Sequence, residues 1–345
     1  MITTAARLDV AVLCRQMAER FARGGRLIAF GAGEADASDV RHVAVEFVHP
    51  VIVGKRALPA LGVPASAVPL LAGPDDIVMA FGAVPFPAGL PAEALTIAFA
   101  TEGDDPFAAQ EVNETTYHVL WELVHVFFEH RGLVSGRSHD TGASSFLYPF
   151  LAEPEVDVEA VLADVRASAD AKFAEAAELR AQTLAEAEAT LDAAASGLRS
   201  CGKLLALGNG GSATDAMDAA ADLRMPPSGL PPLPAIDLSA DPAILTAVAN
   251  DVGVDAMFSR QVIAYGEAGD GLLAFTTSGN STNVIAALEE ARRRGLVTVA
   301  FVGYDGGRIL AERLADHVVV VRSQHIPRIQ EAQASAWHAL RRRLV

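Results

Sequence analysis

Residues 271–295 read GLLAFTTSGNSTNVIAALEEARRRG, and this stretch decides the fold. Its first residues form a short apolar run, TTSGNSTN breaks the run with small and hydroxylated residues, and NVIAALEEARRRG repeats its apolar positions at helical spacing. An apolar strand, a polar turn and an amphipathic helix in that order make one half of a βαβ unit. Similar apolar runs stand at 26–33, 76–82, 94–100, 203–211, 296–303 and 317–323. Short apolar strands alternating with helices predict an α/β protein, with parallel sheets flanked by helices in a Rossmann-like three-layer sandwich.

The chain of 345 residues repeats itself. RLIAFGAG (26–33) pairs with KLLALGNGG (203–211), and ALPAL (57–61) with PLPAI (232–236). DIVMAF (76–81) pairs with GLLAFT (271–276), and TIAFATEGDDPF (96–107) with TVAFVGYDGGRI (298–309). Finally AQEVNETTYHVL (109–120) pairs with IQEAQASAWHAL (329–340). Five anchors in one order predict two copies of one unit, the first trimmed. The expected division is a trimmed domain over 1–135, a Gly/Ser-rich linker over 136–154 and a second domain over 155–345. The stretch 155–200 has no Pro, and no Gly before Gly197; it reads as one short and one long helix.

Composition narrows the function. Hydrophobic residues make up 51%, which argues against extended disorder, and 43 acidic against 27 basic side chains leave a net charge of −16. That balance lacks the basic footprint of a nucleic-acid binder. No apolar run approaches a membrane span, and Cys14 and Cys201 are too few for a disulfide framework. A soluble cytoplasmic protein without membrane or nucleic-acid partners is expected.

TTSGNSTN opens a helix, so backbone N–H groups and the positive helix end face an anion there. Thr276, Thr277, Ser278 and Ser281 add hydroxyl donors, and Ser212 stands at a second strand-to-helix turn after GNGG. Ordinary N-capping by Ser and Thr also accounts for any one of these residues.

GNGGSATDAMDAAADL (208–223) and TTSGNSTNV (276–284) resemble the SIS (sugar isomerase) domain, nearest within it the phosphoheptose isomerases. ILTAVANDVGVDAMFSRQV (244–262), GYDGG (303–307) and RIQEA (328–332) extend the resemblance over nearly all of 165–345. It implies a five-stranded parallel sheet, a sugar phosphate such as sedoheptulose 7-phosphate, aldose–ketose isomerisation through an enediolate, and a homo-oligomer, dimer or tetramer. Asn209, Gly210 and Asp241 join the substrate-binding positions on the same ground.

Phosphoheptose isomerases share a His-x-x-x-Glu pair on the helix after GNGGS, and a Gln and a His eight apart on the last helix. These groups hold zinc or move protons. Spacings of four and eight each put side chains on one helical face. The second repeat keeps Gln330 and His338 but has Asp218 and Asp222 in the other pair. The first repeat carries His42, Glu46, Gln110 and His118, while its own turn, GAVPF (82–86), has lost the hydroxyls. The resemblance therefore gives His42, Glu46, Gln110 and His118 as metal ligands, and Asp218, Asp222, Gln330 and His338 as the alternative centre. His42, Glu46, His118, Asp222 and His338 are the candidate catalytic groups.

Two other classes stay open. A sensor binding a sugar phosphate without turnover is favoured by Asp218 and Asp222, and two-halved chains of this type also resemble SIS proteins associated with nickel–iron hydrogenase maturation. His49, His317 and His325 read as structural, YHVLWELVHVFF (117–128) as a core or interface helix, and the terminal RRRLV as a solvated end.

Overall fold

The computed structural model describes residues 3–4, 9–51, 55–99, 105–129 and 157–345. The strands are β1 (Thr3–Thr4), β2 (Leu27–Gly31), β3 (Ala60–Gly62), β4 (Ile77–Phe81), β5 (Leu95–Phe99), β6 (Leu204–Leu207), β7 (Ala235–Asp237), β8 (Gly271–Thr276), β9 (Val297–Gly303) and β10 (His317–Val321). The helices before the second sheet are α1 (Val10–Ala22), α2 (Glu34–Val48), α3 (Val68–Leu71), α4 (Pro106–Val124), α5 (Val126–Glu129) and α6 (Val158–Leu198). Those after it begins are α7 (Gly211–Arg224), α8 (Pro242–Asp251), α9 (Ser259–Tyr265), α10 (Thr282–Arg293), α11 (Gly307–Ala311) and α12 (Ile326–Arg343).

Among the described residues all strands pair in parallel, in two five-stranded sheets of order β1-β5-β4-β2-β3 and β10-β9-β8-β6-β7. The orders coincide through four strands, as the internal repeat requires. The fifth place differs. In the second sheet β10 follows β9 in the chain, whereas in the first sheet the N-terminal β1 takes the equivalent edge beside β5. The trimmed repeat runs from β5 to α4 with no strand between them among the described residues, so its edge is filled from the opposite end of the sequence.

The unbroken apolar runs follow from burial on both faces. Leu204, Ala206, Leu273, Phe275, Val299 and Phe301 point to one side of the second sheet, where they meet α6, α7 and α12. Leu205, Leu207, Leu272, Ala274, Ala300 and Val302 point to the other, against α9 and α10. In the first sheet Ile28, Phe30, Val78 and Ala80 pack on Val68 of α3. The two-residue alternation of a strand thus feeds two separate cores.

The stretch expected as two helices is the single helix α6, 41 residues long. Nothing in its interior breaks it; Gly197 lies at its end, and an apolar row of Ala187, Leu191, Ala194 and Leu198 anchors its last turns in the second core. The segment 117–128 is core, running from the end of α4 into α5, with Tyr117, Leu120, Trp121, Val124 and Phe127 all buried. His49 is exposed, and His317 and His325 are half-buried.

Two compact units divide the chain, though not at the repeat boundary. The first comprises Met1–Ala32, Val43–Glu102 and Thr116–Ala174; the second comprises Gly33–His42, Gly103–Thr115 and Glu175–Val345. The second unit therefore takes in two pieces of the first repeat. The expected linker, 136–154, lies outside the described residues. No described helix is long and apolar enough to cross a membrane.

Candidate functional site

The site elements of the second unit meet around α7 and α12. Helix α7 starts directly after β6 through the glycines of GNGG. Gly208 has no room for a side chain, since a Cβ there would stand 2.0 Å from the Ser212 carbonyl oxygen. A Cβ on Gly211 would stand 2.0 Å from Gln330 Nε2 and 3.1 Å from His42 Nε2. The glycines let the helix start press against the side chains of the site.

Asp218, Asp222 and His338 converge. His338 Nε2 lies 3.6 Å from an Asp218 oxygen and 3.7 Å from an Asp222 oxygen. Its Nδ1 hydrogen-bonds Glu111 at 2.7 Å, and its ring stacks on Phe107 at 4.3 Å. Glu111 and Phe107 come from the last helix of the first repeat, so that repeat completes a site in the second. Arg342 holds this segment by two bonds to Asp105, each 2.7 Å, and lies over the Phe107 ring.

Charge follows from this geometry. Burial alone would lower the pKa of His338, but the adjacent Asp218 carboxylate, the bond to Glu111 and the charge of Asp222 outweigh it and raise the value to about 10. Burial and then the Asp218 charge push Asp222 well above the ordinary carboxylate range. The Asp222 carboxylate accepts the Trp337 indole N–H at 2.9 Å, and Asp218 accepts the Ser38 hydroxyl at 3.0 Å. The metal-free cluster is an imidazolium held among carboxylates.

Zinc suits this donor set. His338 Nε2 is buried without a hydrogen-bond partner, while Nδ1 is tied to a carboxylate, the arrangement that orients a metal-binding imidazole. Asp218 and Asp222 would supply the oxygen ligands.

The first-repeat candidates fall on both sides of the unit division. His42 and Gln110 belong to the second unit, Glu46 and His118 to the first. The amide N–H of Gln330 donates to His42 Nε2 at 3.2 Å, so Gln330 serves the first repeat's histidine. His42 and Gln110 line one small cavity of about 10 Å³, together with Ser38, Asp39, Asp215 and Asp218. Glu46, one turn after His42 on α2, is buried in the first unit; burial and the neighbouring Glu122 raise its pKa to about 8. His118 is fully buried there.

The expected phosphate loop is a braced turn between β8 and α10. Gly279 has a φ of 64°, and a Cβ there would stand 2.3 Å from the Gly306 carbonyl oxygen. Ser278 Oγ accepts the Asn280 N–H, Asn280 Oδ1 accepts the Arg308 N–H at 2.9 Å, and Gln333 of α12 donates to the Thr276 carbonyl at 3.1 Å. Asn209 and Asn283 exchange two amide bonds of 2.9 Å, which tie the GNGG turn to the start of α10. Ser281 stands at the N-cap of α10 but makes no capping bond with its side chain; its Oγ lies 3.5 Å from Thr276 Oγ1. Capping therefore does not account for Ser281. Thr277 is half-buried, Ser212 is buried and Gly210 is exposed at the neighbouring turn. Asp241 is the N-cap of α8, its carboxylate accepting the Ala243 and Ile244 N–H groups.

Sequence reading missed Glu111, Phe107, Glu114 and Asp215. Spacing along one helix does not show which residue of the other repeat faces it. The signal available was the repeat register: Asp39 stands three before His42 as Asp215 stands three before Asp218.

A family model described as the SIS domain matches residues 157–303. The chain is 44% identical over 147 residues to a phosphoheptose isomerase from Thermodesulfovibrio yellowstonii, covering 42% of this chain and 72% of that protein. It is 40% identical over 187 residues to one from Geobacter sp., covering 53% of this chain and 93% of that protein. Among solved structures, the C-terminal domain of glucosamine-fructose-6-phosphate aminotransferase from Francisella tularensis is similar in fold, with a TM-score of 0.54 and 11% identity over 96% of this chain and 86% of that chain.

Proposed function

The chain belongs to the phosphoheptose isomerase family of SIS-domain proteins, and on that premise we propose that it isomerises a ketose phosphate of the sedoheptulose 7-phosphate type. The observation that carries this reading is the buried convergence of Asp218, Asp222 and His338, on helices that also brace the TTSGNST loop through Gln333.

The phosphate rests on the N-terminus of α10 and the hydroxyls of Thr276, Thr277, Ser278 and Ser281. A carboxylate of the Asp218–Asp222 pair takes the proton from C1 of the ketose and returns it to C2. The hydroxyl proton moves from O1 to O2, so C1 is oxidised and C2 reduced with no outside electron donor. Asp222 is the better base, because its raised pKa brings it nearer neutrality. His338, positively charged and fixed by Glu111, faces the negative charge that builds on the enediolate oxygens. Asp218, Asp222 and His338 would hold zinc, which when bound would supply the same stabilisation as a Lewis acid.

Sugar-phosphate binding without turnover is the second reading. It is favoured by the Asp222 carboxylate, which is already engaged by Trp337. Solvent-deuterium incorporation into sedoheptulose 7-phosphate, followed by NMR, separates the two. The isomerase reading expects exchange in the wild type, slowed by about 10²–10⁴-fold in Asp222→Asn. Bound sugar with no exchange overturns it in favour of a sensor.

A further inference from the structure

Glu114 is the least explained polar group of the second unit. It is 1% exposed, and neither of its carboxylate oxygens has a hydrogen-bond partner. One ligand atom each from His42, Glu114 and Asp215 lies within 4.8 Å of the others, and all three residues are buried. His42 and Asp215 also line the cavity of about 10 Å³, room for a single water or ion. Glu114 and Asp215 are outside the four positions that the phosphoheptose isomerase pattern supplies.

From this geometry we infer that His42, Glu114 and Asp215 form a second divalent-cation site, separate from the Asp218–Asp222–His338 centre and suited to zinc or a similar transition metal. A buried carboxyl escapes its isolation by taking up a proton or a cation. Burial and the nearby charges of Asp215 and Glu331 favour the proton while no cation is bound. A protonated carboxyl, however, needs an acceptor for its O–H, and neither Glu114 oxygen has a partner. A cation gives the Glu114 carboxylate the partner it lacks, with Asp215 and His42 beside it. One imidazole and two carboxylates select transition metals over calcium or magnesium, which prefer all-oxygen shells.

Metal stoichiometry tests this without reference to turnover. The full chain is stripped with a chelator and reloaded with zinc or cobalt(II). Bound metal is counted by mass spectrometry, and the ligand field is read from cobalt absorption. Wild type, Glu114→Gln and His338→Gln are compared. Glu114→Gln should lose one equivalent, or weaken it on the order of a hundredfold or more, while His338→Gln retains that equivalent. Should the His338 centre hold no metal, wild type binds one equivalent that Glu114→Gln still removes, so the two readings fail separately. Equal metal in wild type and Glu114→Gln overturns the site. Asp215→Asn replaces Glu114→Gln if the latter does not fold. A wild-type chain that takes up neither zinc nor cobalt overturns the site with no variant needed.

Discussion

His338 carries the clearest pH signature. Its pKa in the folded protein, about 10, stands above its ordinary 6.5. The imidazolium therefore stabilises the fold fully below about pH 6.5, and this contribution fades as pH rises towards 10. In the metal-free protein, histidine NMR should show His338 still charged at pH 8; a neutral ring there would contradict the carboxylate cage. Glu46 makes a prediction of different origin in the first unit. Its pKa is raised from 4.5 to about 8, so the native state prefers the protonated form and loses stability as pH climbs through that interval. Glu46→Gln should flatten the slope of denaturant stability between pH 5 and 8, by up to a few kcal/mol, on the order that shifts of this size represent. The convergence of Asp218, Asp222 and His338 was legible from fixed spacings on amphipathic helices, whereas Gln330, expected beside them, turns to His42. Glu111 was not, since its value to His338 depends on a tertiary approach that no spacing along the chain encodes.

At the scale of elements, the turn between β8 and α10 was readable from its hydroxyls and glycine, but its bracing was not. Gly279 sits against the Gly306 carbonyl oxygen, so Gly279→Ala forces backbone apart in the loop. Sugar-phosphate affinity, measured by calorimetry, should fall at least tenfold while far-ultraviolet circular dichroism stays near wild type. Asn280→Ala removes the bond to the Arg308 N–H and should weaken binding by less. Helix α6 shows the reverse case, a single long element where two were expected. Composition permits helix along its whole length but gives no reason for a stop, and the second core supplies the anchor. Leu191 is fully buried in that anchor, and Leu191→Ala should cost about 2–5 kcal/mol in chemical denaturation.

At the scale of the whole molecule, the repeat predicted two copies of one unit, and the two sheets share their strand order through four strands. The source of the first sheet's fifth strand was hidden, because a two-residue strand has no periodicity to read. Deleting the first eight residues should leave β5 with an open edge. Such a protein should associate faster on mild heating, as followed by light scattering, than the full chain does. Three of the unit boundaries were equally hidden, since they fall inside α2, α4 and α6.

Glu111 lent by one repeat to His338, and Gln330 lent by the other to His42, have a consequence for how such a chain evolves. In an assembly of identical subunits every substitution arrives everywhere at once, so no active centre experiments alone. Here each repeat has its own stretch of chain. Aspartates stand in one repeat at 218 and 222, while histidine and glutamate stand in the other at 42 and 46. Two repeats in one chain can differ position by position, which identical subunits cannot.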